Sequence, residues 1–351
     1  MALLELHGGL DPSREFPPHE PPADAPGYRE KYWACGYDGV AGVGFSIWLE
    51  TTAADYSVWH ESLHLVLPDG RILLSCTETP RFTPDGPGGQ RGAGICEVPF
   101  ERWIYRVRSA MEAFTATQLT LRTDERALHQ PGEATTDVEL DLTLVSTAPA
   151  WNLSVASTTK AGEAAFATQY RQLFRASGEA RVQGSPSVRF DATGFRAHSS
   201  GPYHGSSFGG HAMISVQFPS GRGAGFLRHV RPDGSATVSQ AFVVEAGAVV
   251  PAQVVDAPKR LPRISPGGEH FTVRLRTDAQ EYVIEVDVVV NVSSVRPNYF
   301  VDTARTDQDL AIVSRQADGL ANAISYGRFS MDGEVGFGVI ERSSRLSLLE
   351  S

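Results

Sequence analysis

Apolar and polar residues alternate with a period of two along most of the chain. Over 137–146, Val138, Leu140, Leu142 and Leu144 share one face, and Asp137, Glu139, Asp141 and Thr143 share the other. Tyr282, Ile284, Val286, Val288, Val290 and Val292 line one side of 281–292. Ala212, Ile214, Val216 and Phe218 do the same over 211–218. Successive side chains of a strand point to opposite faces, so the pattern predicts half-buried antiparallel strands. Four turn signals punctuate them: Pro68-Asp-Gly70, Pro219-Ser-Gly221, Pro232-Asp-Gly234 and Met331-Asp-Gly333. Each puts glycine where a hairpin needs a positive φ. Helical periodicity is scarce, and its best stretch is a short piece over 306–323. The predicted class is all-β, with antiparallel sheets closing into barrels because closure removes sticky edges.

At 351 residues, 41% of them apolar, the chain exceeds the usual single core and can fill two. The expected organisation is a proline-rich arm over 1–27, a first barrel over 28–185 and a second over 186–351. The arm, with six prolines between Pro12 and Pro26, is expected to run extended over the surface. The Gly- and Pro-rich stretch 80–94 reads as a loose connector. No apolar run approaches the ~18 residues of a membrane span. The N-terminus lacks a basic segment followed by an apolar one, so a cytoplasmic location is expected. A net charge of −10 without a Lys/Arg cluster argues against nucleic acid as a partner. Cys35, Cys76 and Cys96 are odd in number, widely spaced and without C-x-x-C, which predicts reduced thiols.

Two motif look-alikes are set aside on local pattern. His60-Glu-Ser-Leu-His64 fits H-E-x-x-H, but zinc-protease chemistry needs both histidines on one face of a helix. Here the flanks alternate, which predicts a strand with His60 and His64 on one face and Glu61 on the other. Gly205-Ser-Ser-Phe-Gly209 fits G-x-S-x-G, yet the nucleophile elbow requires a helix after the serine, and the alternating run 211–218 follows instead. No metal and no organic cofactor is expected.

The stretch Phe190–His204 concentrates Arg196, His198, Tyr203 and His204 between two strand-like runs. It resembles a signature of the carotenoid-hydratase-like (hydroxyneurosporene-synthase, AttH-like) tandem lipocalins. Phe195-Arg-Ala-His-Ser-Ser-Gly201 stands in the place of their Arg-Asp-His-Ser-Trp-Gly motif. Thr168-Gln-Tyr-Arg-Gln172 is similar to their His-Tyr-Glu-Gln strand, and Met331–Glu341 to their closing hairpin ending in Gly-x-Gly-x-x-Glu. The resemblance covers roughly 28–345 and implies two lipocalin-like barrels side by side with a cavity for a hydrophobic ligand. It departs where chemistry matters. Ala197 replaces the acid, Ser200 the tryptophan, and Tyr203-His204 a second Arg-Asp.

The resemblance thus implies an enzyme acting by proton transfer on an unsaturated apolar molecule of isoprenoid or polyketide type, by hydration, isomerisation or cyclisation. His198, His204 and Tyr203 are the expected proton-handling groups. Arg196, Tyr170, Gln172 and Glu341 are the expected substrate-binding residues, with Arg196 and Glu341 as an orienting pair. The alternative is a non-catalytic carrier of a hydrophobic metabolite, and a third reading is a zinc hydrolase built on His60 and His64. The expected partners are a small apolar molecule and a second copy in a homodimer.

Overall fold

The computed structural model describes residues 5–24, 28–52, 55–82, 86–121, 134–153, 168–202, 208–296 and 318–350. Two all-β bodies account for nearly all of them. The first sheet comprises β1 (Tyr28–Asp38), β2 (Val43–Thr51), β3 (Val58–Val66), β4 (Ile72–Pro80), β5 (Gly92–Val98), β6 (Arg102–Phe114), β7 (Thr135–Ser146), β8 (Trp151–Asn152), β9 (Thr168–Val182) and β10 (Val188–Pro202). Its order runs β10-β1-β2-β3-β4-β6-β7-β9, and β10 also pairs β9, which closes the ring. β5 and β8 attach to β6 and β9.

The second sheet is a closed barrel of eight strands in sequence order. They are β11 (Gly210–Gln217), β12 (Gly223–Val230), β13 (Ala236–Glu245), β14 (Ala248–Asp256), β15 (His270–Arg276), β16 (Glu281–Arg296), β17 (Leu320–Met331) and β18 (Glu334–Arg345). The two-barrel, all-β architecture implied by the sequence is therefore the one found.

The alternating runs became β7, β11 and β16, and their apolar rows are buried as the period of two requires. Val290 and Val292 leave this row for the seam because the β16–β17 register shifts between Val288 and Val290. The four turn glycines, Gly70, Gly221, Gly234 and Gly333, all take positive φ between 78° and 87°.

Four expectations are corrected. β10, expected in the second half beyond residue 185, pairs β9 and β1 in the first ring. The arm is not simply laid over the surface: Glu15, in a short 3-10 helix over Pro12–Glu15, is wholly buried. Gly86–Gly89 in the supposed loose connector are buried as well. Of the helix expected over 306–323, residues 306–317 lie outside the described residues and Leu320–Ala323 begin β17.

Three large cores result, with two smaller clusters beside them. One lies inside the first barrel around Phe45, Trp59, Trp103, Phe174 and Phe190. Another fills the second barrel around Phe226, Val273, Ile284 and Phe329. The third lies between them, where Trp33, Tyr37 and Phe195 meet Met213, Leu227 and Tyr326. Strands of this seam are covered on both faces, so burial is nearly continuous along β1 from Tyr32 onward and along β11 from Ala212 onward.

Candidate active site in the first barrel

Register brings most of the sequence-predicted residues together. On β10, Arg196 and His198 share a face; across the ladders His198 stands opposite Tyr170 of β9 and Tyr32 of β1, and Arg196 opposite Gln172. Tyr32 belongs to the first barrel's core, so this row looks inward. Ala197, between them, belongs to the seam.

Arg196 is buried and fully engaged at its tip. Its Nη1 lies 3.0 Å and its Nη2 2.8 Å from the two carboxylate oxygens of Glu15, and it also donates to the Tyr170 hydroxyl and to Gln172 Oε1. Glu15 further accepts from Phe100 N at 2.9 Å, from Trp103 Nε1 at 2.7 Å and from the Tyr170 hydroxyl. Gln172 donates to the carbonyls of Leu6, Phe100 and Ala148. Burial works to raise the Glu15 carboxyl, but the Arg196 charge and these hydrogen bonds outweigh it and hold it below the usual carboxylate range. Burial pushes the Tyr170 hydroxyl far up, keeping it protonated.

The expected Arg196–Glu341 pair does not form. Glu341 sits on β18 in the seam, with its Oε2 3.0 Å from His211 Nε2, and the arm supplies Arg196's carboxylate instead. Nothing in the arm's proline-rich composition announces a buried acid. The one local signal is Asp11-Pro12, an N-cap followed by proline at the first helical position, which marks the turn that delivers Glu15.

His198 has a carboxylate partner after all. Its Nε2 is hydrogen-bonded to Glu30 of β1, its ring stacks on Tyr32 with centroids 4.2 Å apart, and Tyr170 meets it edge-on at 5.6 Å. Glu30 is held in turn by the Tyr28 hydroxyl, and its amide donates to Thr51 Oγ1. Ala197 leaves the motif's acid position empty, and an acid from the neighbouring strand reaches the histidine instead.

Near this dyad, buried donors without a partner among the described residues include Arg196 Nε and, at 1% and 0% exposure, the Tyr32 hydroxyl and Trp59 Nε1. The Tyr32 and Trp59 rings lie 6.2 Å apart. An unsatisfied buried polar group costs about 1–3 kcal/mol, so such a pair marks where a guest's polar atom or water is wanted. Glu61, also inside the ring, accepts from Gly92 N, Arg91 N and Thr79 Oγ1. Burial pushes its carboxyl up despite these bonds. The orphaned donors were invisible in the sequence, where Tyr32 and Trp59 read only as core.

The remaining candidates separate. Tyr203 and His204 lie outside the described residues, as do residues 205–207 of the G-x-S-x-G look-alike. His60 and His64 lie on strand β3, with Glu61 turned inward, and among the described residues no group of three His, Cys, Asp or Glu is placed to hold a metal. The three cysteines are free thiols.

Compared with solved structures, the chain is similar to the AttH-like protein of Nitrosomonas europaea, at 13% identity and a TM-score of 0.57, covering 92% of this chain and 93% of that one. It is also similar to CghA solved with Sch210972, at 11% identity and a TM-score of 0.51, covering 92% and 89%. These likenesses show a shared fold and agree with the resemblance carried by the Arg196–His198 segment. No curated protein matches by sequence. A family profile matches residues 12–345, and the chain therefore belongs to the family described as a domain of unknown function, DUF7064.

Proposed function

We propose that the chain is an enzyme that moves a proton on an unsaturated, largely apolar small molecule held in the first barrel, so adding water, shifting a double bond or closing a ring. The observation that carries this reading is the His198–Glu30 dyad standing beside orphaned donors inside an aromatic-lined barrel. A carboxylate on one ring nitrogen fixes the tautomer and orientation of an imidazole, leaving the other nitrogen to exchange a proton with a guest. In a hydration, protonated His198 gives its proton to one alkene carbon. Water attacks the other, and neutral His198 takes back a proton from the added water, so the dyad returns unchanged. The Tyr32 hydroxyl and Trp59 N–H orient a substrate oxygen. Arg196, whose two terminal nitrogens are taken up by Glu15, Tyr170 and Gln172, holds the barrel end together in this reading. That CghA, similar in fold, was solved with Sch210972 supports a ligand-holding role for such a fold.

The carrier reading has its own support, because the group that sequence resemblance assigns to substrate, Arg196, is spent on the arm. The test separates the two. The protein is incubated with farnesol and with retinol, binding is followed by quenching of tryptophan fluorescence, and products are sought by mass spectrometry. The enzyme reading expects an isomer or a product heavier by one water. His198→Gln and Glu30→Gln should each lower turnover about 10²-fold or more while affinity stays within a few-fold. Binding without product supports the carrier, and turnover untouched by His198→Gln removes His198 from the chemistry.

A further inference from the structure

A polar layer crosses the second barrel, which the first-barrel reading leaves without a role. The ladders place its residues. Ala212 of β11 stands opposite Arg342 of β18, Arg342 opposite Ala323 of β17, and Ala323 opposite Ser293 of β16. In the next row of the same face, Ile340 stands opposite Ser325 and Ser325 opposite Asn291. Cross-strand partners share a face, and Ala212 and Ile340 belong to the barrel's inner core, so both rows point inward. Arg342, Asn291, Ser293 and Ser325 are at most 3% exposed.

The strap 257–269, between β14 and β15, closes this end of the barrel. Its Leu261 packs on Val295, Ala321 and Ala323, and it also delivers Glu269 to the layer. Glu269 Oε2 lies 2.6 Å from Arg342 Nη1, and the carboxylate accepts from Asn291 Nδ2 at 3.3 Å and from the Ser265 hydroxyl. Burial works to raise the Glu269 carboxyl, but the Arg342 charge and these hydrogen bonds hold it below the usual carboxylate range. The charge of Arg342 is therefore balanced. What remains is unused hydrogen-bonding capacity: Arg342 Nε and Nη2, Asn291 Oδ1, Ser293 Oγ and Ser325 Oγ have no partner among the described residues. Nε and Nη2 form one edge of a guanidinium, with two parallel N–H bonds aimed at acceptor oxygen. An amide oxygen only accepts, so Asn291 Oδ1 needs an O–H or N–H, while the serine hydroxyls can serve either way. Alanine and serine at these inward positions keep the wall short around them. Pinning the strap accounts for Glu269 and Asn291 Nδ2, but not for this surplus of buried donors and acceptors.

We propose that this layer is a binding site for a small neutral molecule bearing a carbonyl and a neighbouring hydroxyl. The carbonyl oxygen takes the Nε–Nη2 edge of Arg342, the hydroxyl donates to Asn291 Oδ1, and Ser293 and Ser325 complete the set. A neutral guest fits because Glu269 already answers Arg342, and a second buried anion beside it would go uncompensated.

Saturation-transfer NMR of the full chain with hydroxyacetone, and with butanone, which lacks the hydroxyl, tests this. Hydroxyacetone should bind saturably and about tenfold or more tightly than butanone. Arg342→Lys keeps a cation for Glu269 but removes the free edge, and should weaken hydroxyacetone about tenfold. Ser293→Ala combined with Ser325→Ala is gentler on the fold and should weaken it about threefold or more, reading the same site should Arg342→Lys not fold. Equal binding of the two probes, no binding of either, or hydroxyacetone affinity untouched by the variants that fold would overturn the proposal. A layer that holds only water gives the second of these results.

Discussion

At the scale of single residues, the Glu15–Arg196 pair shows what long-range partners do to a local motif. Arg196 and His198 were legible because the motif places them two apart on one strand. Their carboxylates were not, being 181 and 168 residues away in sequence. Both members of the Glu15–Arg196 pair are almost wholly desolvated, at 0% and 3% side-chain exposure, and breaking such a pair costs about 3–5 kcal/mol because the survivor stays buried and unpaired. Glu15→Gln should therefore lower stability by about that amount in urea titration, and Glu15→Gln combined with Arg196→Met should recover part of it. The pH dependence has a definite sign. The Glu15 carboxyl is held below its unfolded value, so the folded state binds fewer protons. Its contribution is complete above the ordinary glutamate pKa of about 4.3 and drains away as pH falls through the depressed folded value. Glu15→Gln should flatten that part of the acid-denaturation curve; an unchanged curve would mean that other carboxylates govern it.

At the scale of elements, alternation located β7 and β16, where one face met solvent, and also β11, but it could not say which barrel a strand covered on both faces belongs to. β10 is such a strand. Its inward residues Phe190 and Ala192 fill the first barrel, while Phe195 and Ala197 fill the seam, so its pattern does not reveal which barrel it closes. What fixes it is the ladder to β1, where Gly36 faces Gly194. A Cβ at Gly194 would come 2.1 Å from the Cys35 carbonyl oxygen and 2.6 Å from Gly36 Cα, both backbone atoms that cannot swing aside. Gly194→Ala should thus strain the closure between β1 and β10 and cost about 1–3 kcal/mol. Since His198 and Glu30 are held across the same ladder, the strain should reach their alignment. Urea titration reads the first effect and turnover the second. A neutral Gly194→Ala would show that the ladder relaxes without cost.

At the scale of the whole molecule, the two barrels share a core rather than merely touching. Tyr37 stacks on Tyr326 at 5.4 Å and meets Phe337 edge-on, while Cys35 lies 3.8 Å from the Tyr326 hydroxyl. Gln217 of β11 reaches into the first ring, donating to the carbonyls of Phe174 and Gly194. An apolar seam of this kind resembles a domain core more than a transient interface, so the barrels should unfold together. Calorimetry should show one transition whose van't Hoff and calorimetric enthalpies agree; two resolved transitions would contradict it. Gly44 offers a sharper probe, since its missing side chain makes room for the second barrel. A Cβ there would stand 2.8 Å from the Tyr326 ring, which is itself fully buried. Gly44→Val should push the barrels apart, lowering the single midpoint by an amount corresponding to about 1–3 kcal/mol while leaving each ladder's own hydrogen bonds in place. If the seam is what couples the barrels, the same variant should broaden or split the transition, because two closed rings that no longer share a core have no remaining reason to melt as one.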